Sequence, residues 1–133
     1  MYIKFKAKGF SMYGNQAYNI YAQNNVGIES PEKLIEMLYE GVLRFNAQAK
    51  KAIKDNNIEK KAYWINRSID IITELLITLD MKQEGDMSMY LSGLYNYQIQ
   101  LLSKANIYND ISNIDECSNV FKGLLEAWRD EVN

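Results

Sequence analysis

The residue types that most often carry out chemistry in proteins are nearly absent from this sequence. It has no histidine and a single cysteine, Cys117, in 133 residues. Without histidine there is no Ser-His or Cys-His dyad, no Glu-x-x-His pair for a carboxylate-bridged iron site, and no histidine ligand for haem or zinc. No nucleotide-binding motif is visible either. The sequence therefore predicts a protein that is not an enzyme and uses no metal or cofactor.

The one candidate nucleophile, Cys117, falls on the apolar side of the last predicted helix. We expect a buried and unreactive thiol, because no basic neighbour or helix start is apparent that would lower its pKa. A single cysteine cannot form an internal disulfide, which is compatible with a reducing compartment. Neither an apolar run long enough for a membrane span nor a signal peptide is visible, so we expect no membrane insertion and a cytoplasmic location.

The charge balance argues against nucleic acid as a partner. Fifteen basic and seventeen acidic side chains give a net charge of -2, whereas binding to a phosphate backbone normally requires a basic surface. The basic pairs Lys50-Lys51 and Lys60-Lys61 are therefore interpreted as solvated surface.

The elements that would position any site are helices. The only proline is Pro31, and Ser30 before it is a suitable N-cap. Apolar residues then recur at helical spacing in four segments between about residues 31 and 131, with Asn57 capping the second segment, which ends near Asp80. Ser112, with Asp115 three residues later, resembles a capping box for the fourth.

Short linkers between these segments make sequential helices antiparallel. The predicted fold class is all-α: an antiparallel up-down bundle of four long helices over residues 30–133. A short N-terminal helical arm over residues 13–29 precedes the bundle, and residues 1–12 form a disordered extension.

The helices carry more apolar surface than one core-facing stripe needs. A second apolar row widens the core, or lines an outer groove that takes the apolar face of a partner helix; the sequence leaves both open. Gln98 lies at a core-spaced position and needs a hydrogen-bond partner if it is buried. The second rows contain Ile35, Tyr39, Val42, Trp64, Ile71, Leu75, Tyr95 and Leu102.

Several blocks of the sequence occur in the order found in one protein family. They are Tyr18-Asn-Ile-Tyr21, the Ser-Pro-x-x-Leu-Ile-x-Met-Leu-Tyr run that starts at Ser30, Leu-Tyr-x-Tyr at residues 94–97, and the Ala127-Trp128 pair. Together they resemble the flagellar export chaperone family FliS from Tyr18 to about residue 131. Residues 1–11 precede the usual start of that family, which makes Met12 a candidate initiator.

The resemblance implies a cytoplasmic chaperone that binds the C-terminal region of flagellin, prevents its premature polymerisation and assists its delivery to the flagellar type III export gate. The implied partners are the flagellin C-terminal segment, the cytosolic domain of the export gate, and a co-chaperone or flagellar regulator. The residues predicted to bind the client are Tyr18, Tyr21, Ile35, Leu38, Tyr39, Leu91, Leu94, Tyr95 and Leu102.

Two other functions remain open at this stage. One is a helical adaptor or regulator that sequesters another flagellar protein. The other is a small all-helical enzyme of the mutase type, which would use Arg, Lys and Glu without histidine. Such an enzyme requires two or more of Arg44, Arg67 and Arg129 to point into one interior cavity.

Overall fold

The computed structural model describes residues 30–79 and 86–132. They form four helices, which confirms the all-α fold predicted from the periodicity. The predicted extension and arm, residues 1–12 and 13–29, lie outside the described residues. The helices are α1 (Pro31–Lys54), α2 (Ile58–Ile77), α3 (Asp86–Tyr108) and α4 (Ile111–Val132).

The four helices are arranged as a ring. Each helix packs against the next along the chain, and α4 packs against α1. Two salt bridges show that α1 and α4 are antiparallel: Glu36 near the start of α1 meets Arg129 near the end of α4, and Lys50 near the end of α1 meets Asp115 near the start of α4. The architecture is an up-down bundle.

The first two helices begin at the predicted caps. The Ser30 side-chain hydroxyl accepts a hydrogen bond from the backbone N–H of Lys33 at 3.1 Å, with Pro31 in the first turn. The Asn57 side-chain oxygen accepts one from the backbone N–H of Lys60 at 3.0 Å. Both bonds satisfy a backbone donor that has no partner within the helix.

Two predicted helix boundaries are wrong. Helix α2 ends at Ile77, three residues before Asp80. Helix α4 begins at Ile111, because the turn before it contains Asn109 in the left-handed region (φ 55°) and the Asp110 carboxylate accepts the Ser112 backbone N–H at 2.9 Å. Ser112 is therefore inside the helix and does not cap it.

Large apolar side chains fill the space between the four helices, along the axis of the bundle. Every helix contributes to this core, and the ring of Trp128 donates its N–H to the backbone carbonyl of Glu32 at 3.0 Å, which joins the end of α4 to the start of α1. Its largest fully buried side chains are Trp128, Tyr39, Tyr95, Phe121, Leu34, Ile35, Ile65, Ile72, Leu75, Leu91 and Leu102.

Lys61 does not lie on a solvated surface, so the interpretation of that basic pair is wrong for this residue. Its side chain is buried, and its ammonium donates to the backbone carbonyl of Asn106 at 2.8 Å and to the side-chain oxygen of Asn109 at 2.7 Å. A cation at the C-terminal end of α3 interacts favourably with the helix dipole. Lys61 therefore ties α2 to the turn between α3 and α4.

Candidate functional site

The residues predicted to bind a client lie mainly in the core. Tyr18 and Tyr21 are outside the described residues. Leu94 is half-buried and packs against the core from its edge. All nine remain a prediction as groove residues. In this structure six are buried, although one of them, Leu38, also lines an open groove described below. Those six are Ile35, Leu38, Tyr39, Leu91, Tyr95 and Leu102.

Two of these residues form a hydrogen bond across the centre of the bundle. The hydroxyls of Tyr39 on α1 and Tyr95 on α3 are 2.7 Å apart. Phe121 of α4 lies against both rings, edge-on to Tyr39 with centroids 5.8 Å apart and stacked on Tyr95 at 6.2 Å. Burial raises the pKa of both phenols, so both remain neutral. The pair holds diagonally opposite helices together.

The second apolar rows divide between core and surface. Ile35, Tyr39 and Val42 are buried, so on that side of α1 the second row widens the core. Trp64 and Ile71 on α2 are only half-buried and pack against the core from outside. The rows on α1 and α3 therefore widen the core, as does Leu75 on α2, whereas Trp64 and Ile71 leave part of the α2 row at the surface. Binding of a partner helix there stays a prediction.

Ile71, from the half-buried part of the row on α2, borders an open groove between α1 and α2. The groove encloses about 430 Å³, with an apolar floor that includes Leu38 and Ile71. Gly41 of α1 lies at its base, and a Cβ added there would be 2.7 Å from the Cδ1 atom of Ile71. The missing side chain lets α2 approach α1 closely. We call this feature the α1–α2 groove.

One end of the α1–α2 groove is basic and aromatic. The guanidinium groups of Arg44 and Arg67 lie 5.2 and 4.9 Å from the centre of the Phe45 ring, within the range of cation–π attraction. The Trp64 ring stacks at a tilt on Phe45, with centroids 5.4 Å apart. Arg67 also donates to the Tyr63 hydroxyl at 2.9 Å.

The other end of the same groove is acidic and apolar. Asp70 and Glu74 of α2 line it opposite Met37 of α1. Glu74 is seven residues after Arg67, which corresponds to about 10 Å along a helix. Asp70 lies between them, three residues after Arg67, so the charge on the α2 side of the rim already changes sign within one helical turn.

A second apolar surface lies on the outside of α3. Tyr90, Leu94 and Tyr97 recur at spacings of four and three residues, which places them on one side of the helix. Tyr90 and Tyr97 are 53 % and 48 % exposed. The charge of Glu116 on α4 raises the pKa of the Tyr97 phenol, so Tyr97 lies on the α4 side of this exposed surface. We call Tyr90, Leu94 and Tyr97 the α3 strip.

Polar groups in the core are paired on three helices. The Ser68 hydroxyl donates to the Asn46 side-chain oxygen at 2.7 Å, and the Asn46 amide nitrogen donates to the Ser118 hydroxyl at 3.1 Å. Gln98 of α3 is buried as well, but neither polar atom of its side chain has a hydrogen-bond partner among the described residues. The partner expected for a buried Gln98 is therefore not found there.

Cys117 is buried as predicted. Burial raises the pKa of its thiol to about 12, although a hydrogen bond with Asn46 acts in the opposite direction. The thiol is therefore protonated at neutral pH and covered by the core, and a thiol in that state is a poor nucleophile.

The mutase-type alternative depends on where the arginines point. Arg44 and Arg67 line the same groove, but both are exposed and the groove lies on the surface. Arg129 is elsewhere, on α4, where it pairs with Glu36 at 2.7 Å and Glu40 at 2.8 Å. The mutase-type alternative requires two arginines in one interior cavity, whereas Arg44 and Arg67 converge on a surface groove.

Sequence reasoning did not identify the basic aromatic cluster of the α1–α2 groove. Arg44 and Arg67 were considered only as residues of an interior cavity, and Phe45 was not among the predicted binding residues. The available signal was that Arg44 is next to Phe45 in the sequence and that Arg67 follows Tyr63 and Trp64 by about one helical turn. The cluster forms only because α1 and α2 pack side by side, which periodicity does not specify.

Two further observations describe the part of the chain that the structure covers. None of its helices is both long and apolar enough to cross a membrane. Across residues 30–79 and 86–132, His, Cys, Asp and Glu side chains form no group of three or more that is placed to hold a metal ion.

Comparisons with known proteins agree on one family. The family model described as "Flagellar protein FliS" matches residues 14–133. A flagellar secretion chaperone FliS from Campylobacter jejuni is 56 % identical over 122 residues, which cover 92 % of this chain and 95 % of that protein. The FliS of Bacillus subtilis is 33 % identical over 86 % of this chain and 85 % of its own length. The FliS of Escherichia coli is 30 % identical over 91 % and 93 %.

Proposed function

Because this chain belongs to the FliS family of flagellar secretion chaperones, we propose that it binds the C-terminal region of flagellin in the cytoplasm. Bound flagellin is kept from polymerising prematurely and is delivered to the cytosolic domain of the flagellar export gate. The protein does this by binding alone, without catalysis or a cofactor.

The observation that carries the proposal is that the bundle fills its own core and still exposes grouped apolar side chains. Scattered exposed hydrophobic residues are ordinary on a protein surface, whereas grouped ones indicate a binding surface. The α3 strip and the α1–α2 groove are two such groups, on different sides of the bundle. A long client segment that follows the bundle surface would contact both.

The proposed mechanism is folding coupled to binding. A disordered client segment forms amphipathic helices against these surfaces, and the burial of apolar area offsets the loss of chain entropy. Tyrosine suits such a surface because it covers a large area with few rotatable bonds and keeps a hydroxyl for the polar rim. Release then occurs by competition at the export gate.

In a second candidate function, the same surfaces bind a client other than flagellin. The protein would sequester another flagellar factor, such as a regulator or co-chaperone, as a helical adaptor. Pull-down from an extract of flagellated cells separates the two functions, because a main captured protein other than flagellin favours the adaptor.

Isothermal titration calorimetry with a purified flagellin C-terminal segment tests the proposal directly. We expect saturable binding with a negative heat-capacity change, since apolar surface is buried. The titration is run with the full chain and with a form that lacks residues 1–29, so that occlusion by the predicted arm is detected as weaker binding of the full chain. Absence of binding by both forms at tens of micromolar contradicts the proposal.

A further inference from the structure

We propose that the α1–α2 groove binds an amphipathic helix of the client that carries a carboxylate side chain at the point where it passes Arg44 and Arg67. The inference rests on the proposed function and adds the chemistry and orientation of one contact. The client helix would place its apolar side on the groove floor and its acidic residue at the basic end.

The first argument is the electrostatic state of the two arginines. Within residues 30–79 and 86–132, neither Arg44 nor Arg67 forms a salt bridge, whereas Arg129 binds two carboxylates at 2.7 and 2.8 Å. Both guanidinium groups lie about 5 Å from the same Phe45 ring. Two cations close to the same ring, with no carboxylate paired to either, give this end of the groove a positive potential that attracts an anion.

The second argument is that the guanidinium groups are preorganised. The ring of Phe45 holds both by cation–π attraction, and the Tyr63 hydroxyl accepts a hydrogen bond from Arg67. A side chain that is already held in place loses less entropy when it binds a partner. Arginine is also the residue whose geometry best matches a carboxylate, through paired N–H donors.

The third argument is the shape and charge of the rest of the groove. Its floor is apolar, and the absence of a side chain at Gly41 keeps Ile71 from being pushed outward. On α2, Asp70 follows Arg67 by three residues and disfavours a second carboxylate beyond the arginines. This charge pattern fits a client helix that is acidic where it passes Arg44 and Arg67 and is neutral or basic about one turn further along, beside Asp70.

The test is charge reversal with a matched control. The Arg44→Glu/Arg67→Glu variant and the Lys104→Glu/Lys122→Glu variant change the net charge equally, and the second pair lies on the exposed surface of α3 and α4. Both are titrated with the flagellin C-terminal segment at low salt. We expect the arginine variant to bind about tenfold more weakly, because charge reversal replaces an attraction with a repulsion at the contact. We expect the lysine variant to bind within about twofold of the unmodified chain, because charges far from the contact act only through the screened overall field.

Rescue identifies the contact. Each Asp and Glu of the segment is replaced by Lys in turn, and we expect one replacement to weaken binding to the unmodified chain and to restore binding to Arg44→Glu/Arg67→Glu. If circular dichroism shows that this variant does not fold, Arg44→Gln/Arg67→Gln replaces it, and a smaller loss is expected.

The outcomes separate the two proposals. If the arginine variant binds the segment as tightly as the unmodified chain, or if the lysine variant loses the same affinity, the acidic contact is overturned. The proposed function then still stands, because the segment still binds. No binding of the segment to the unmodified chain or to the form that lacks residues 1–29 contradicts the proposed function itself.

Discussion

The inner and outer sides of α3 carry tyrosines only two residues apart in very different surroundings. Tyr95 is completely buried, and its hydroxyl lies 2.7 Å from that of Tyr39. Tyr97 is 48 % exposed and lies near Glu116. Both belong to the Leu-Tyr-x-Tyr run that resembles the family pattern. One run therefore contains both a residue that holds the bundle together and a residue available to a partner.

This comparison shows why a sequence pattern does not identify binding residues by itself. Consecutive positions of a helix point in directions 100° apart, so residues 94–97 sample the core, its edge and the solvent within one turn. Most of the predicted client residues are on the inner side. The α3 strip and the α1–α2 groove are the accessible surfaces.

The largest expected effect comes from truncating each tyrosine to alanine. Tyr95→Ala should lower the free energy of unfolding by about 3–5 kcal/mol, because it removes a buried ring and leaves a cavity. Tyr97→Ala should change it by less than about 0.5 kcal/mol and weaken binding of the flagellin segment about tenfold, as for an aromatic contact in an interface. Urea denaturation and calorimetry measure the two quantities. Equal free energies of unfolding for Tyr95→Ala and Tyr97→Ala would contradict the assignment of Tyr95 to the core and Tyr97 to the surface.

A smaller effect is expected when only the hydroxyls are removed. Tyr95→Phe leaves the Tyr39 hydroxyl buried without its partner, which should cost about 1–3 kcal/mol. Tyr39→Phe should cost a similar amount, and the Tyr39→Phe/Tyr95→Phe double variant should cost less than the sum. Additive costs in this double-mutant cycle would mean that the two hydroxyls do not interact. Tyr97→Phe is the control on the outer side, with little change expected.

The smallest loss of stability is expected at alkaline pH. Burial raises the pKa of Tyr39 and Tyr95 above the usual value of 10.0, so above pH 10 the unfolded chain releases phenol protons that the folded chain keeps. Their contribution to stability is therefore complete below pH 10 and is lost progressively above it, at up to about 1.4 kcal/mol per pH unit for each group.

Urea titrations between pH 8 and 11 measure this loss. The Tyr39→Phe/Tyr95→Phe variant is the matched control, because it retains every other group that titrates in that range, including Cys117. We expect a shallower decline for the variant than for the unmodified chain. Equal slopes would show that the buried phenols do not resist ionisation.

The local features of the fold were predictable from the sequence. Ser30 and Asn57 cap their helices because a short polar side chain next to a helix start satisfies a nearby backbone donor, whatever the rest of the fold does. The boundary at Ser112 was wrong because the neighbouring Asp110 competes for the same role. Lys61 was misplaced because its burial depends on acceptors from the turn between α3 and α4, 45 or more residues away.

The sequence by itself determined the all-α fold class, the four long helices of residues 30–79 and 86–132 and the family, because periodicity, caps and motif order are properties of nearby residues. Only the tertiary structure decided which tyrosines face the core and which face solvent, since a helix with apolar residues on several sides is oriented by its neighbours. It also decided that Arg44 and Arg67, which are 23 residues apart, meet over one aromatic ring. That meeting requires α1 and α2 to pack side by side, which no local pattern specifies.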